Sequence, residues 1–115
     1  MTQLTLNLIQ GSVSFNFTPE AARNLKQEIS QLVRNLKTVA NSKNNISRIP
    51  TPQKPMEYRY TGEVFLEFFC NPNIYPSPYA AKVLVTVKDD RIRITSEAEL
   101  TRSIEDLDRY LEQIA

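Results

Sequence analysis

The chain has 115 residues and a formal net charge of +1, with 41% hydrophobic and 23% charged residues, which is the size and balance of one soluble globular domain. Because it has one cysteine and no histidine, a Cys/His zinc site, a Ser-His-Asp triad, a Cys-His dyad and an intrachain disulfide are excluded. Its two glycines, Gly11 and Gly62, stand far apart and cannot build a P-loop or a dinucleotide-binding loop, so we expect no cofactor, no metal and no enzymatic activity.

The N-terminal segment MTQLTLNLIQGS alternates polar with apolar residues and lacks the basic start and unbroken apolar centre of a signal peptide. The longest apolar run, Val64 to Cys70, is much shorter than the ~18 residues that a membrane span needs. We therefore expect a cytoplasmic protein that does not enter a membrane.

Two strands and a long helix are predicted for the first forty residues. Apolar and polar residues alternate on both sides of Gln10-Gly11-Ser12, which indicates two half-buried strands joined by a tight turn. Thr18 then supplies an N-cap hydroxyl and Pro19 the first helical residue. The helix carries one apolar stripe, at three- and four-residue steps, that should lie on the sheet: Ala22, Leu25, Ile29, Leu32, Val33, Leu36 and Ala40.

A mobile linker is predicted at about residues 41–55, where three prolines, three asparagines and no periodicity occur. It interrupts a single domain, residues 1–115, because neither flank has enough apolar pattern to fold alone. It also carries three cations, Lys43, Arg48 and Lys54.

The remaining chain predicts further strands and a final helix. MEYRY and EVFLEFF flank Thr61-Gly62, and AAKVLVTV and RIRIT flank Asp89-Asp90, as in two hairpins. Ser96 and Glu99 have the spacing of a capping box, and Leu100, Ile104, Leu107, Leu111 and Ile114 follow as an apolar stripe. The predicted fold is α+β, with a single antiparallel sheet of five or six strands and two helices, in the order strand-strand-helix-linker-strands-helix.

The stretch FCNPNIYPSPY, residues 69–79, is predicted to be a stiff connector. Its three prolines cannot donate to a sheet ladder and move the preceding residues out of the helical region. Cys70 ends an apolar run and is expected to behave as a small buried hydrophobe. The loop could also form a contact surface for a protein partner through Tyr75 and Tyr79.

Charge is distributed unevenly, because residues 1–60 hold eight of the 14 Lys and Arg residues but three of the 13 Asp and Glu residues. Four cations share a stripe on the first helix, where they could bind phosphates together with the linker. The alternative is an ordinary solvated helix face. The candidate nucleic-acid-binding residues are Arg23, Lys26, Arg34, Lys37, Lys43, Arg48, Lys54, Tyr58, Arg59 and Tyr60, with the two tyrosines as exposed rings on which bases could stack.

The strand Val64 to Phe69 is apolar on both faces, since Phe65 and Phe69 share one face and Phe68 takes the other. A two-faced apolar strand in a small domain predicts a homodimer. The acidic residues of the last helix are predicted to form a solvated face.

The order of elements around FNFTPEAARNLKQEI and YPSPY resembles small cyanobacterial proteins that are grouped by fold with the Whirly-type single-stranded DNA-binding regulators. The resemblance implies a curved antiparallel sheet that presents the ligand face and helices that mediate association. No lysine and glycine motif of that family is present, since neither Gly11 nor Gly62 adjoins a lysine, and no binding residue can be transferred. The sequence thus predicts a non-enzymatic binding module, for single-stranded nucleic acid or for a protein partner.

Overall fold

Two antiparallel sheets carry the six strands found in the computed structural model, which describes residues 2–43 and 52–114, with only the backbone of residues 42 and 43. Strands β1 (Gln3–Asn7) and β2 (Ser12–Asn16) form a separate hairpin, and β3 (Met56–Thr61), β4 (Phe65–Cys70), β5 (Lys82–Lys88) and β6 (Arg93–Glu99) form a four-stranded meander in that order. The α+β class and the strand number are confirmed. The prediction of a single sheet is wrong. Alternation in the sequence identifies which face of a strand is buried, but it does not identify which other strands pair with it.

Helix α1 (Pro19–Lys43) begins where the sequence predicts. The Thr18 hydroxyl oxygen accepts a hydrogen bond from the Ala21 main-chain N–H at 3.1 Å, which satisfies one of the free donors of the first turn. The helix continues to Lys43, so residues 41–43 are helical and not part of a linker. Of the rest of the predicted linker, residues 44–51 lie outside the described residues and 52–55 have no regular secondary structure.

Helix α2 (Leu100–Ile114) begins later than the predicted capping box. Ser96 and Glu99 both belong to β6, where Ser96 pairs with Val85 and Ala98 with Val83. The prediction of a capping box is therefore wrong. The backbone of Ser96 to Glu99 forms its hydrogen bonds with β5, and the helix starts where this strand pairing ends.

The core lies between the helices, the hairpin and one face of the four-stranded sheet. Leu25 and Leu32 of α1 and Leu107 of α2 are fully buried, as are Phe17 after β2 and Phe68 of β4. Most of the stripe predicted for α1 lies in this core, although Val33 and Ala40 are half-buried. On α2, Leu100 and Leu107 are in the core, and Ile104, Leu111 and Ile114 are half-buried. The strands contribute the alternate residues Leu4, Leu6, Phe15, Leu66, Val83, Val85 and Ala98.

Short turns connect the strands at the predicted places. Gly11 has a φ of +92°, a region that favours glycine, and its carbonyl accepts from Leu8 N–H at 2.9 Å to close the β1–β2 turn. The connector between β4 and β5 consists of two 3₁₀ turns, Pro72–Ile74 and Pro78–Ala80. No helix in the described part of the chain combines the length and the apolar character that crossing a membrane requires.

Candidate functional site

Four of the predicted cations lie together on the exposed side of α1, and we call Arg23, Lys26, Arg34 and Lys37 the basic row. All four side chains are exposed to solvent. Arg34 Nη2 donates to the Gln31 side-chain oxygen at 2.8 Å, and Lys26 Nζ lies 2.5 Å from Asp108 Oδ1 on α2. The helical spacing that predicted the row is confirmed, but one of its cations already has an acidic neighbour.

A groove with an apolar floor runs between α1 and α2 beside the basic row. Its volume is about 270 Å³, and its rim is formed by Lys26, Arg34 and Lys37. The floor contains Val33 and Ile104, which are half-buried, and the buried residues Ile29 and Leu107. Positive charge and apolar surface therefore meet along one side of the helix pair.

The other predicted cations do not extend this row. Lys54 lines a hollow with Glu28 and Glu57, so its surroundings contain two carboxylates. Lys43 is the last residue of α1 and its side chain is not described, while Arg48 lies outside the described residues.

The prediction that Tyr58 and Tyr60 present exposed rings is wrong. Both are half-buried on the inward face of β3, because their partners across the strand pair, Phe68 and Leu66, face the core. The Tyr58 hydroxyl donates to the Ala21 carbonyl at 3.5 Å, and burial raises the pKa of Tyr58 to about 12. The Tyr60 ring packs edge-to-face on Phe17, with ring centroids 4.9 Å apart. Neither ring is placed as a stacking platform.

Arg59 lies on the opposite face of the four-stranded sheet, where its Nε donates to Glu67 Oε2 at 2.7 Å. This charge-assisted hydrogen bond raises the pKa of Arg59 further. On the same face Phe69 is 37% exposed and its cross-strand partner Leu84 is 41% exposed. We call this the open sheet face; its outward residues are Glu57, Arg59, Thr61, Phe65, Glu67, Phe69, Leu84, Thr86, Lys88, Arg93, Thr95 and Glu97.

The predicted interaction loop has one exposed and one packed tyrosine. Tyr79 is 85% exposed, whereas Tyr75 packs against the core and has a pKa raised by burial. The loop is braced by Asn73, whose side chain donates to the Gln53 carbonyl and accepts from the Gln53 N–H, both at 2.8 Å. These bonds support the predicted stiffness of the loop. The large apolar side chains that the loop exposes are Tyr79 and Ile74.

Cys70 is buried, with 2% of its surface exposed. Burial raises the pKa of its thiol to about 11, which keeps it in the less nucleophilic protonated form near neutral pH. This agrees with the sequence interpretation of Cys70 as a small hydrophobe. Within the described ranges, no three His, Cys, Asp or Glu side chains are grouped so that they could hold a metal ion.

Sequence reasoning missed the role of Asp106 on α2. This residue is 3% exposed, and its carboxylate accepts hydrogen bonds from the Asn7 main-chain N–H at 2.7 Å and from the Asn7 side-chain amide at 2.8 Å. The prediction of a solvated acidic face is therefore wrong at this residue. The sequence contained a signal, because Ser103, Asp106 and Tyr110 follow three- and four-residue steps that place them on one face of the helix. The structure shows that all three are buried.

Comparison with known proteins adds no further information on this site, since no family model, no curated protein and no solved structure matches the chain.

Proposed function

We propose that this protein is a non-enzymatic binding module that holds single-stranded nucleic acid along the basic row of α1. The observation that carries the proposal is the exposed alignment of Arg23, Lys26, Arg34 and Lys37 beside an apolar groove. Fourteen residues separate the ends of the row, which corresponds to about 21 Å of helix. A row of this length can contact several successive phosphates.

The contact between Lys26 and Asp108 does not remove this site. Both side chains are more than two-fifths exposed, and exposed ion pairs typically contribute only about 0–1 kcal/mol. A phosphate can therefore compete for Lys26. The other three cations have no carboxylate within ion-pair distance among the described residues.

An unpaired strand fits the groove better than a duplex does. The floor of the groove, where Val33 and Ile104 are half-buried, offers apolar contacts to the bases of a single strand. A double helix keeps its bases stacked inside, where they cannot make these contacts. The binding described here differs from the sequence expectation, since the rings of Tyr58 and Tyr60 take no part. Base–aromatic stacking contributes about 1–3 kcal/mol per base where it occurs. Because binding here lacks that contribution, we expect modest affinity.

Fluorescence anisotropy with labelled oligo(dT) and oligo(U) tests the proposal. Contacts from four cations predict that log affinity falls against log salt with a slope of about −3, at about −0.7 per phosphate. The Arg34→Glu/Lys37→Glu variant should lose binding. The matched control is Arg91→Glu/Arg109→Glu, which changes the net charge equally at two exposed arginines outside the row. Absence of binding at about 50 mM salt, or equal losses in the two variants, would refute the proposal.

A second candidate function is favoured by one observation, the 85% exposure of Tyr79 on a braced loop. An exposed aromatic side chain on a rigid connector is a typical anchor for a protein partner. In that case Tyr79→Ala should abolish capture of the partner at moderate salt, whereas charge reversal in the basic row should not. The two functions are thus separated by their variants and by their salt dependence.

A further inference from the structure

We propose that the open sheet face is the interface of a homodimer in which two copies pack face to face with their strands antiparallel. This surface is distinct from the basic row and does not depend on the function proposed above. The inward face of the same sheet packs on the helices, and the outward face keeps Phe69 and Leu84 exposed side by side. Adjacent exposed apolar side chains in the middle of a sheet are a feature of interaction surfaces.

The register of the four strands arranges the open sheet face in three rows. Each row has one residue from β3, β4, β5 and β6: Glu57, Phe69, Leu84 and Glu97; then Arg59, Glu67, Thr86 and Thr95; then Thr61, Phe65, Lys88 and Arg93. The first row carries two carboxylates and the third carries two cations. The face therefore has an acidic end and a basic end.

This polarity selects one of the two symmetric ways to stack the face on itself. A two-fold axis along the middle row, perpendicular to the strands, places the first row of one copy over the third row of the other. Glu97 then meets Arg93 of the second copy, and Phe69 meets Phe65. An axis parallel to the strands would instead place Glu57 over Glu97, and such like-charge pairs disfavour an interface.

The middle row is compatible with this axis. The axis runs along this row, so Arg59 and Glu67 each lie opposite the same residue of the second copy. Because the two are paired within each copy, they meet there as neutral pairs and not as single charges. Thr86, which is buried, and the exposed Thr95 lie beside them with hydroxyl oxygens 3.2 Å apart, so this half of the row carries short side chains.

The size of the face predicts a weak dimer. Four strands at about 4.8 Å spacing and six residues at about 3.3 Å rise give roughly 20 by 20 Å. The resulting area, roughly 400 Å², is below the usual area of a stable interface, which is about 800 Å² per partner. We expect association at micromolar or higher concentrations.

Sedimentation equilibrium from about 1 µM to about 1 mM tests the dimer. Phe69→Glu should raise the dissociation constant by about tenfold or more, and Leu84→Lys, a second exposed position, should do the same. Ile74→Glu is the control, because Ile74 is exposed outside this face. Circular dichroism confirms that each variant is folded. A wild-type protein that stays monomeric throughout, or a dimer unaffected by both face variants, would overturn the proposal.

A charge swap tests the antiparallel arrangement. Glu97 and Arg93 are four residues apart on β6, about 13 Å along a strand, and thus do not pair within one copy. Glu97→Arg and Arg93→Glu should each weaken the dimer, and the double variant should restore it to within about threefold of wild type. Failure of the double variant to recover would refute this arrangement. The Arg34→Glu/Lys37→Glu variant should dimerise normally, so loss of nucleic-acid binding and loss of dimerisation can be told apart.

Discussion

The carboxylate of Asp106 joins α2 to β1 through Asn7, by accepting hydrogen bonds from its main-chain N–H at 2.7 Å and its side-chain amide at 2.8 Å. The two residues are 99 positions apart in the chain. Arg102 Nε lies 3.5 Å from the same carboxylate, which places a cation beside the buried charge. Asp106 therefore closes the N-terminal hairpin onto the C-terminal helix.

The first prediction concerns this connection. Asp106→Ala should lower the free energy of unfolding by roughly 2–4 kcal/mol, because it removes a buried carboxylate and leaves the half-buried Asn7 N–H without its acceptor. Asn7→Ala should cost less, since its main-chain N–H remains. Urea denaturation of both single variants and the double variant gives the coupling energy. Additive losses would contradict a direct interaction.

The elements of the fold could be predicted because their periodicities are physical consequences of a single buried face. Leu4 and Leu6 alternate on β1, and Leu25 and Leu32 recur on α1, and all four are in the core. The division into two sheets could not be predicted. Strand pairing depends on which backbones meet after collapse, and alternation carries no information about it.

The candidate site was predicted in part for a similar reason. The basic row follows from spacing within one helix, which the sequence contains completely. The exposure of Tyr58 and Tyr60 depends instead on which face of β3 the helices cover. One face of this strand carries Met56, Tyr58 and Tyr60 and the other carries Glu57, Arg59 and Thr61. Because tyrosine is found both in cores and at surfaces, it is the pairing with Phe68 and Leu66 that shows the tyrosines to face inward.

The second prediction tests the packing of the helices on the sheet. Leu32→Ala and Leu107→Ala should each lower the free energy of unfolding by roughly 2–5 kcal/mol, through lost burial and the cavity left behind. Ile92→Ala is the matched control at an exposed aliphatic position and should change it by less than about 0.5 kcal/mol. Thermal or urea denaturation measures all three. Similar losses at Ile92 and at the two leucines would contradict the core assignment.

The third prediction concerns Gly62, over which the Tyr60 ring lies. A Cβ atom at Gly62 would overlap the hydroxyl and ring carbons of Tyr60, so Gly62→Ala should displace the ring from its contact with Phe17. Aromatic pairs contribute about 0.5–1.5 kcal/mol beyond burial, and a destabilisation of this order is expected. In a Tyr60→Ala background the same change should have little effect. An equal cost in both backgrounds would show that the ring is not the cause.

The fourth prediction follows from the buried thiol of Cys70, whose pKa is raised from 9.0 to about 11. A raised pKa means that the folded state holds the proton more tightly than the unfolded state. The stabilisation is therefore complete below pH 9 and is lost as the pH rises from about 9 to about 11. In this window the stability of the wild type should fall relative to that of Cys70→Ala. The burial of Tyr58 raises its pKa as well, but its contribution is common to both proteins and cancels in the difference.

Alkylation kinetics give an independent readout of the same thiol. Iodoacetamide reacts with the thiolate, so native protein at pH 8 should be modified far more slowly than protein unfolded in urea. The rate in native protein should rise when Leu32→Ala loosens the core, because the reaction then passes through transient opening. Rapid alkylation of the native wild type, or a stability difference from Cys70→Ala that stays constant across pH 9 to 11, would show that the thiol is accessible. Either result would make Cys70 a candidate nucleophile and reopen the possibility of an enzymatic activity.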